Sequence, residues 1–305
     1  MSLARRWLNK LGRWGRRAPK APPPVPVRNA VAAALGPGAL LALNVGARWG
    51  DGGAWWRIAP LVTIVGFEPD QVECDRLNAL CADSARERYL PLALGAAVQD
   101  AELHVTFDPA CSSLYPPIEA LADRYPALQQ IRRVETRTVR LTPLDDWWQS
   151  EGRPSVDFVK LDTQGSELDI LRGGQTMLVD CAGCEIEVEF SPIYHGQPLF
   201  TDVDTFMRER GFVLWRLHEL THYPECWPRP REQGRLIWSS AVYLRDYRSL
   251  GTTDKERRQR LVLAALLEAL DDHEAAKNCL AGASQGPATT TAADAPPGEH
   301  APSRS

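Results

Sequence analysis

Acidic residues stand at or near the ends of three apolar runs in this chain. They are Glu68, Asp162 and Glu189. If the runs are parallel strands of one sheet, their carboxyl ends meet at the edge where α/β proteins bind ligands. Carboxylates at such an edge accept hydrogen bonds from hydroxyl groups or take protons from them. Glu68 and Asp162 are also of the types that stabilise or cap helix N-termini, so a purely structural role is the alternative.

A glycine-containing turn follows the first apolar run, in the segment LNVGARWGDGG, and contains Asn44, Gly46 and Gly50. Glycine lets the backbone pass close to a ligand. The spacing is not the Gly-x-Gly-x-x-Gly of dinucleotide-binding proteins, which disfavours a nucleotide-dependent oxidoreductase. Glu68 lies 24 residues beyond Asn44. An acid at the end of the second strand can accept two hydrogen bonds from a ribose diol.

The run CEIEVEF at 184–190 alternates acidic and apolar residues. Glu185, Glu187 and Glu189 therefore share one face of a strand, and burying them is costly unless they are paired or functional. Together with Asp162 they are candidate general bases. His195 is another, because a neutral imidazole accepts a proton near pH 7, although a histidine in a loop is often an ordinary surface residue.

The loop DPACSSLYPP at 108–117 is a candidate substrate lid. The candidate acceptor contacts are Ser113 and Tyr115 in this loop and Tyr194 in the segment SPIYHGQPLF. Trp147 and Trp148 are expected in a helix that follows Thr142-Pro143, with the threonine as N-cap and the proline at the first helical position. Both tryptophans are expected to pack in the protein core, the alternative being a platform for the substrate.

Apolar runs alternate with helix-compatible stretches, which predicts an α/β fold with a mostly parallel sheet. The predicted parallel strands cover residues 40–45, 61–68, 89–94, 156–162 and 184–190. Helices are predicted at 69–84 and 166–179, and residues 212–217 and 236–244 read as a closing antiparallel pair.

The composition is that of an ordinary globular protein, with 44% hydrophobic residues and a net charge of −4 over 305 residues. Nucleic-acid binding is not expected without a basic face. The odd count of seven cysteines fits reduced thiols in the cytoplasm, and no apolar run is long enough to span a membrane.

The chain divides into four predicted segments: a basic amphipathic segment with a Pro-rich linker at 1–27, the α/β domain at 28–248, a helix at 249–280 and a disordered tail at 281–305. Residues 1–20 carry seven lysines and arginines beside tryptophans at helical spacing. Such a segment is a candidate peripheral contact with the inner face of a membrane, the alternative being a helix that is frayed or packed on a partner.

Five segments occur in a fixed order between about residues 40 and 245: NVGARWG, GFEPD, TPLDDWW, VDFVKLDTQGSELDILRGG and EVEFSPIYHGQPLF. Together they resemble the FkbM family of S-adenosylmethionine-dependent methyltransferases. The resemblance implies a Rossmann-like class I fold, with a seven-stranded sheet whose last strand is antiparallel and helices on both faces.

The resemblance also assigns roles to residues. It implies that Asn44, Gly46 and Gly50 approach the methionine part of the cofactor and that Glu68 holds its ribose. It implies that Leu94, Gly95 and Ala96 line the adenine and that Asp162 lies beside the transferable methyl group. The chain departs from the family at Asn44, where most relatives have Asp, and at Gln164, where many have Glu.

We therefore predict an S-adenosyl-L-methionine-dependent methyltransferase that O-methylates a saccharide or small natural-product acceptor without a metal. One alternative is a binding module that has the fold but no catalytic activity. The departures from the family at Asn44 and Gln164 are the reason to keep this alternative. The other is the nucleotide-dependent oxidoreductase.

Overall fold

The computed structural model describes residues 26–50, 54–81, 83, 85–223 and 234–284. In chain order the described strands are β1 (Leu40–Val45), β2 (Val62–Phe67), β3 (Glu87–Leu90), β4 (Ala93–Gly95), β5 (Gln99–Thr106), β6 (Arg133–Pro143), β7 (Phe158–Leu161), β8 (Gly183–Glu189), β9 (Phe212–Tyr223) and β10 (Arg235–Arg245). The described α-helices are α1 (Pro26–Leu35), α2 (Gln71–Leu80), α3 (Glu119–Arg124), α4 (Leu144–Ser150), α5 (Glu167–Arg172), α6 (Phe200–Glu209), α7 (Asp254–Ala269) and α8 (His273–Ala283).

Seven strands form the main sheet, in the order β3-β2-β1-β7-β8-β10-β9. The first five are parallel, whereas β10 runs antiparallel to both of its neighbours, β8 and β9. The predicted Rossmann-like sheet with an antiparallel strand near its end is confirmed. Because β1 and β7 are neighbours, the turns that follow them emerge side by side at the carboxyl edge.

A second, three-stranded sheet in the order β4-β6-β5 was not predicted. Most residues of β6 are exposed and charged or polar, so its sequence lacks the apolar alternation of a half-buried strand. The single strand predicted over 89–94 is wrong in the same region. The chain leaves the main sheet after Leu90, passes Pro91 and pairs Ala93–Gly95 with β6 instead. Proline cannot donate to a strand ladder, which accounts for the break.

The structure also corrects the predicted bounds of two helices, α4 and α5. Thr142 and Pro143 belong to β6, and the helix α4 begins only at Leu144, so the threonine is not its N-cap. The helix predicted over 166–179 is shorter: α5 ends at Arg172, Gly173 is its C-cap, and only a 3₁₀ turn at Met177–Val179 follows. Trp147 is buried, as expected for a core residue.

The helices α1, α7 and α8 cover one face of the main sheet with a shared apolar cluster. Two helices, α7 and α8, lie in the region of the predicted C-terminal helical segment. The chain reverses between them at Asp271, whose φ is 61°. The predicted membrane-contact segment (1–20) and almost all of the predicted tail lie outside the described residues. None of the helices in the described part of the chain is long and apolar enough to cross a membrane.

A buried ion pair fastens α7 to the start of β7. Asp157 is 3% exposed, and its carboxylate accepts from both terminal nitrogens of Arg258 and, at 2.9 Å, from the backbone N–H of Leu41. The Arg258 guanidinium also donates to the Ala39 carbonyl at 3.1 Å. The Asp157–Arg258 ion pair thus links the helix α7 to β1 and to the start of β7, the two central strands of the sheet.

We expect Arg258→Met to lower the free energy of unfolding by about 3–5 kcal/mol, because it leaves the Asp157 charge buried without its partner. Urea unfolding followed by tryptophan fluorescence measures the loss. The matched control is Arg140→Met, which removes an arginine from an exposed pair with Asp100 and should cost less than about 1 kcal/mol. Equal losses in the two variants would contradict this role for the buried pair.

Candidate functional site

A deep cleft lies at the carboxyl ends of β1, β2 and β7. Its empty volume is about 1020 Å³ when its open mouth is counted. Gly46, Glu68 and Asp162 line it from the main sheet. The unpredicted small sheet supplies the facing wall, with Val105 from β5 and Val139 from β6. Predicted site residues from three strands are therefore brought together.

Gly46 occupies the tightest point of the cleft. Its φ is +76°, and a Cβ placed there would lie 2.0 Å from the carbonyl oxygen of Asp162. Only glycine fits such an approach without moving the backbone. This contact sets the turn after β1 directly against the turn after β7.

Asn44 and Gly50 lie behind the turn after β1. Asn44 is 1% exposed, and its amide nitrogen donates to the Gly50 carbonyl at 3.3 Å. No described residue donates to the Asn44 carbonyl oxygen, although that atom is buried. Of the described residues of this turn, Val45, Gly46 and Arg48 line the cleft, whereas Asn44 and Gly50 do not.

Glu68 is buried at the end of β2 beside an arginine that the sequence reasoning missed. Its Oε1 accepts from the Asp70 backbone N–H at 2.9 Å and from Arg48 at 3.5 Å. Burial raises the pKa of Glu68, although the Asp70 N–H and Arg48 oppose the rise. Arg48 also bonds Asp70 at 3.3 Å, so it links both acids at this side of the cleft. No described residue donates to Oε2 of Glu68, which leaves that oxygen available to a ligand.

The turn after β7 is held by a buried carboxylate that the sequence reasoning also missed. Glu167, at the start of α5, accepts from the backbone N–H of Thr163 at 2.6 Å and from that of Gly165 at 2.9 Å. Burial raises its pKa to about 7. Gln164 between these two anchors has a φ of +59°, a left-handed conformation that non-glycine residues rarely adopt.

Gln164 bridges two acids from neighbouring strands. Its amide nitrogen donates to Oδ1 of Asp162 at 3.1 Å and to Oε2 of Glu187. Lys160 donates to the other oxygen of Asp162 at 3.3 Å. Burial, followed by the charges of Asp162 and Glu189, raises the pKa of Glu187 well above its ordinary value.

A smaller inner cavity, about 370 Å³ in empty volume, lies on the far side of Gln164. Gln164 lines both cavities, Asp162 lines the outer cleft, and Glu187 and Glu189 line the inner one. Burial raises the pKa of Glu189 well above its ordinary value, and the charge of Glu167 adds to the rise. The three acids of β8 share a face as predicted, but the side chain of Glu185 pairs with His218 at 3.6 Å instead of lining either cavity.

The predicted acceptor contacts are spread over different surroundings. The hydroxyl of Ser113 donates to the Gln164 carbonyl at 2.6 Å. The hydroxyl of the fully buried Tyr194 has two acceptors for its one proton, the Cys111 carbonyl at 2.8 Å and Oε1 of Gln164 at 3.1 Å. Tyr115 bonds Asp169 at 2.6 Å, and burial raises the pKa of its hydroxyl. His195 is exposed and lines neither described cavity. Contact of Ser113, Tyr115 and Tyr194 with an acceptor, and a role for His195 as a base, stay predictions.

Only part of the segment expected to line the adenine lies in the outer cleft. Leu94 lines the outer cleft together with Leu92 and Ala93, whereas Gly95 does not. A Cβ at Gly95 would lie 2.8 Å from the Leu141 side chain, so this glycine serves packing between β4 and β6. Ala96, which follows it, is exposed and lines neither cavity described here.

The model of the methyltransferase FkbM domain matches residues 45–214, which is more than half of the chain. The chain belongs to the FkbM methyltransferase family. The matched segment contains the glycine turn, Glu68, the Gln164 turn and all three acids of β8.

This FkbM-family chain is also similar to individual proteins. It is 25% identical over 167 residues to the 2-O-methyltransferase NoeI of Sinorhizobium fredii, a match that covers 51% of this chain and 65% of that protein. It therefore spans slightly less than two thirds of the relative's length.

Two solved structures overlap weakly with this FkbM-family chain. The methyltransferase FkbM of Methylobacillus flagellatus KT matches with a TM-score of 0.38 and 14% identity, over 67% of this chain and 43% of that one. The magnesium protoporphyrin IX methyltransferase of Synechocystis PCC 6803 matches with a TM-score of 0.34 and 11% identity, over 79% and 91%. With scores this low, neither overlap supports a conclusion about function.

We expect Gly46→Ala to destabilise the fold by several times as much as Gly36→Ala, measured by urea unfolding. Both glycines have positive φ, +76° and +87°, and that conformation costs a non-glycine residue about 1–2 kcal/mol. Only at Gly46 would the added Cβ also meet backbone, whereas at Gly36 no described atom lies within 4 Å. Similar losses in the two variants would show that the turns after β1 and β7 separate easily.

We also expect the free energy of unfolding of the wild type to fall as the pH rises from 4.5 to about 7. The folded-state pKa of Glu167 lies near 7 and its ordinary value is 4.5, so the folded chain holds this proton more tightly than the unfolded chain. The stability it contributes is complete below pH 4.5 and is lost as the pH passes through the folded-state pKa.

For Glu167 alone the loss is up to about 3 kcal/mol, since one pKa unit corresponds to about 1.4 kcal/mol. Glu167→Gln should flatten this part of the profile, measured by urea unfolding at several pH values. Glu102→Gln, on an exposed side chain of β5, should leave it unchanged. A profile as steep in Glu167→Gln as in the wild type would assign the titration to other acids.

Proposed function

We propose that this chain is an S-adenosylmethionine-dependent O-methyltransferase that acts on a hydroxyl of a saccharide or small natural-product acceptor. The observation that supports it most is the convergence of Gly46, Glu68 and Asp162 on one cleft at the carboxyl edge of the sheet. A donor ligand and a proton-accepting group would thus meet at a single point.

The residues present fit the cofactor. Glu68 has an oxygen free to accept from a ribose hydroxyl, and the Gly46 backbone is exposed to a ligand without an intervening side chain. The buried Asn44 carbonyl oxygen, which no described residue satisfies, is a further acceptor close to the glycine turn. The apolar side chains of Leu94 and Ile170 line the same cleft and could pack against the flat adenine ring of the cofactor. When bound, the cofactor would supply an electrophilic methyl group on a sulfonium sulfur.

A hydroxyl acceptor is favoured by the acids around the cleft. An alcohol must lose its proton as it attacks, and a positioned carboxylate can take that proton. Asp162 lies in the cleft, and Glu187 and Glu189 lie immediately behind it. The relative named a 2-O-methyltransferase is consistent with oxygen as the methylated atom. Orientation of the acceptor against the methyl group would supply much of the remaining acceleration.

The first test is calorimetric titration with S-adenosylmethionine and with S-adenosylhomocysteine. We expect both to bind the wild type and Glu68→Gln to weaken both by about 10-fold or more, since a hydrogen bond to a charged group contributes about 1.5–3 kcal/mol. The matched control is Asp75→Asn on α2, an exposed acid that lies outside the cleft. It should change neither affinity by more than a small factor.

Other outcomes separate the alternatives. Binding of neither ligand would contradict the proposal, and binding of NADH or NADPH instead would favour an oxidoreductase. Tight binding of S-adenosylmethionine without methylation of any hydroxylated acceptor in a broad panel would favour a binding module.

A further inference from the structure

Two acids from adjacent strands meet at the wall between the two cavities. Asp162 and Glu187 both accept from the same amide nitrogen of Gln164, so one donor holds their two carboxyl groups near each other. Two carboxylates held at one donor repel each other when both are ionised, and the repulsion favours retention of one proton by the pair.

Gln164 holds the Asp162–Glu187 pair in place. Its backbone carbonyl accepts from Ser113, and its amide nitrogen donates to both acids, which leaves its side-chain oxygen 3.1 Å from the Tyr194 hydroxyl. The backbone on either side is fixed by Glu167 through Thr163 and Gly165. A residue constrained at both its backbone and its side chain, at a positive φ, keeps a single orientation.

Of the two acids in the pair, only Asp162 faces the outer cleft. The Asp162 side chain is 39% exposed and lines the outer cleft, whereas Glu187 is reached from the inner cavity. The titratable groups near the pair are Lys160 on β7, Glu185 and Glu189 on β8, Glu167 on α5, Tyr223 on β9, and Cys111 and Tyr194 in the loops. Lys160 donates to Asp162 at 3.3 Å and favours its ionised form, whereas the charges of Glu167 and Glu189 favour retention of the proton on Glu187.

We propose that Asp162 and Glu187 share one proton while the cleft is empty, give it up when a cationic ligand enters, and then accept the proton of the acceptor hydroxyl. Gln164 is the positioning residue of the pair. This inference rests on the proposed function, because S-adenosylmethionine carries the positive sulfonium charge that the pair would face.

The proton count of the transfer is balanced. The hydroxyl O–H bond breaks and its proton passes to the Asp162–Glu187 pair. The oxygen forms a bond to the methyl carbon as the carbon–sulfur bond breaks, and the bonding electrons return to sulfur. The positive charge lost from the sulfonium therefore reappears as the proton on the carboxyl pair.

The test compares two ligands that differ in this charge. Calorimetric titrations of the whole chain with S-adenosylmethionine and with S-adenosylhomocysteine, in buffers of different ionisation enthalpy, give the protons released on binding. We expect the wild type near pH 7 to release up to one proton more with the sulfonium ligand than with the neutral one. Equal release with both ligands would overturn the inference and leave the proposed function standing, whereas failure of both ligands to bind would contradict the function itself.

Two matched variants locate the proton. Glu187→Gln should abolish the difference in release while S-adenosylhomocysteine still binds within about threefold of wild type, which also shows that the variant is folded. Glu185→Gln is the matched control, because it makes the same change on the same face of β8. It should keep the difference in proton release, since the Glu185 side chain faces His218 instead of Asp162. Loss of the difference in both variants, or in neither, would overturn the assignment to the Asp162–Glu187 pair.

Gln164→Leu tests the positioning role. It leaves both acids in place but removes their common donor, so the pH at which the extra proton release is half-maximal should shift while S-adenosylhomocysteine affinity changes little. An unchanged midpoint would show that the pair holds its proton without help from Gln164.

Discussion

The close approach of two backbone turns determines the site. Gly46 after β1 and Asp162 after β7 are so near that any side chain at position 46 would overlap the Asp162 carbonyl group. The parallel pairing of β1 with β7 brings the turns to the same edge, and the absence of a Cβ allows them to touch. A turn suited to ligand contact and an acid suited to proton chemistry are adjacent for this reason.

This approach places a dense group of carboxyls behind the cleft, and the fold stabilises each by a different means. Glu167 is satisfied by backbone N–H groups, and Glu185 faces His218. Asp162 and Glu187 accept from Gln164, and Asp162 also accepts from Lys160. An acid can be buried only when it has a hydrogen-bond partner or keeps its proton. The hydrogen bonds to these acids and their raised pKa values are two consequences of that same cost of burial. An amide at position 164 donates to two acids at once, which a glutamate there could not do when ionised.

The sequence was most informative where apolar runs and acids coincide. The strands β1, β2, β7 and β8 and the acids that follow or end them were predicted within one or two residues, because buried parallel strands are nearly continuous apolar runs. The shared face of Glu185, Glu187 and Glu189 followed from the two-residue period of a strand.

The facing wall of the cleft could not be predicted in the same way. The strand β6 is mostly exposed, and its charged residues give no apolar alternation, so Val139 and its neighbours were not recognised as lining residues. Arg48 was missed because its role depends on Glu68 and Asp70, which lie about 20 residues away in sequence and meet it only in the folded chain.

Charge is distributed unevenly across the cleft, and this bears on how a ligand would lie in it. Arg48 offsets Glu68 and Asp70 at the end of β2, whereas the acids behind Asp162 outnumber the nearby Lys160. A ligand with a neutral ribose and a cationic sulfur, lying with its ribose at Glu68, would place the cation on the acidic side. The same unevenness disfavours a pyrophosphate beside Asp162, since like charges would be held together in a partly buried cleft. The charge pattern thus agrees with the glycine spacing in disfavouring a dinucleotide, although the two arise from different residues.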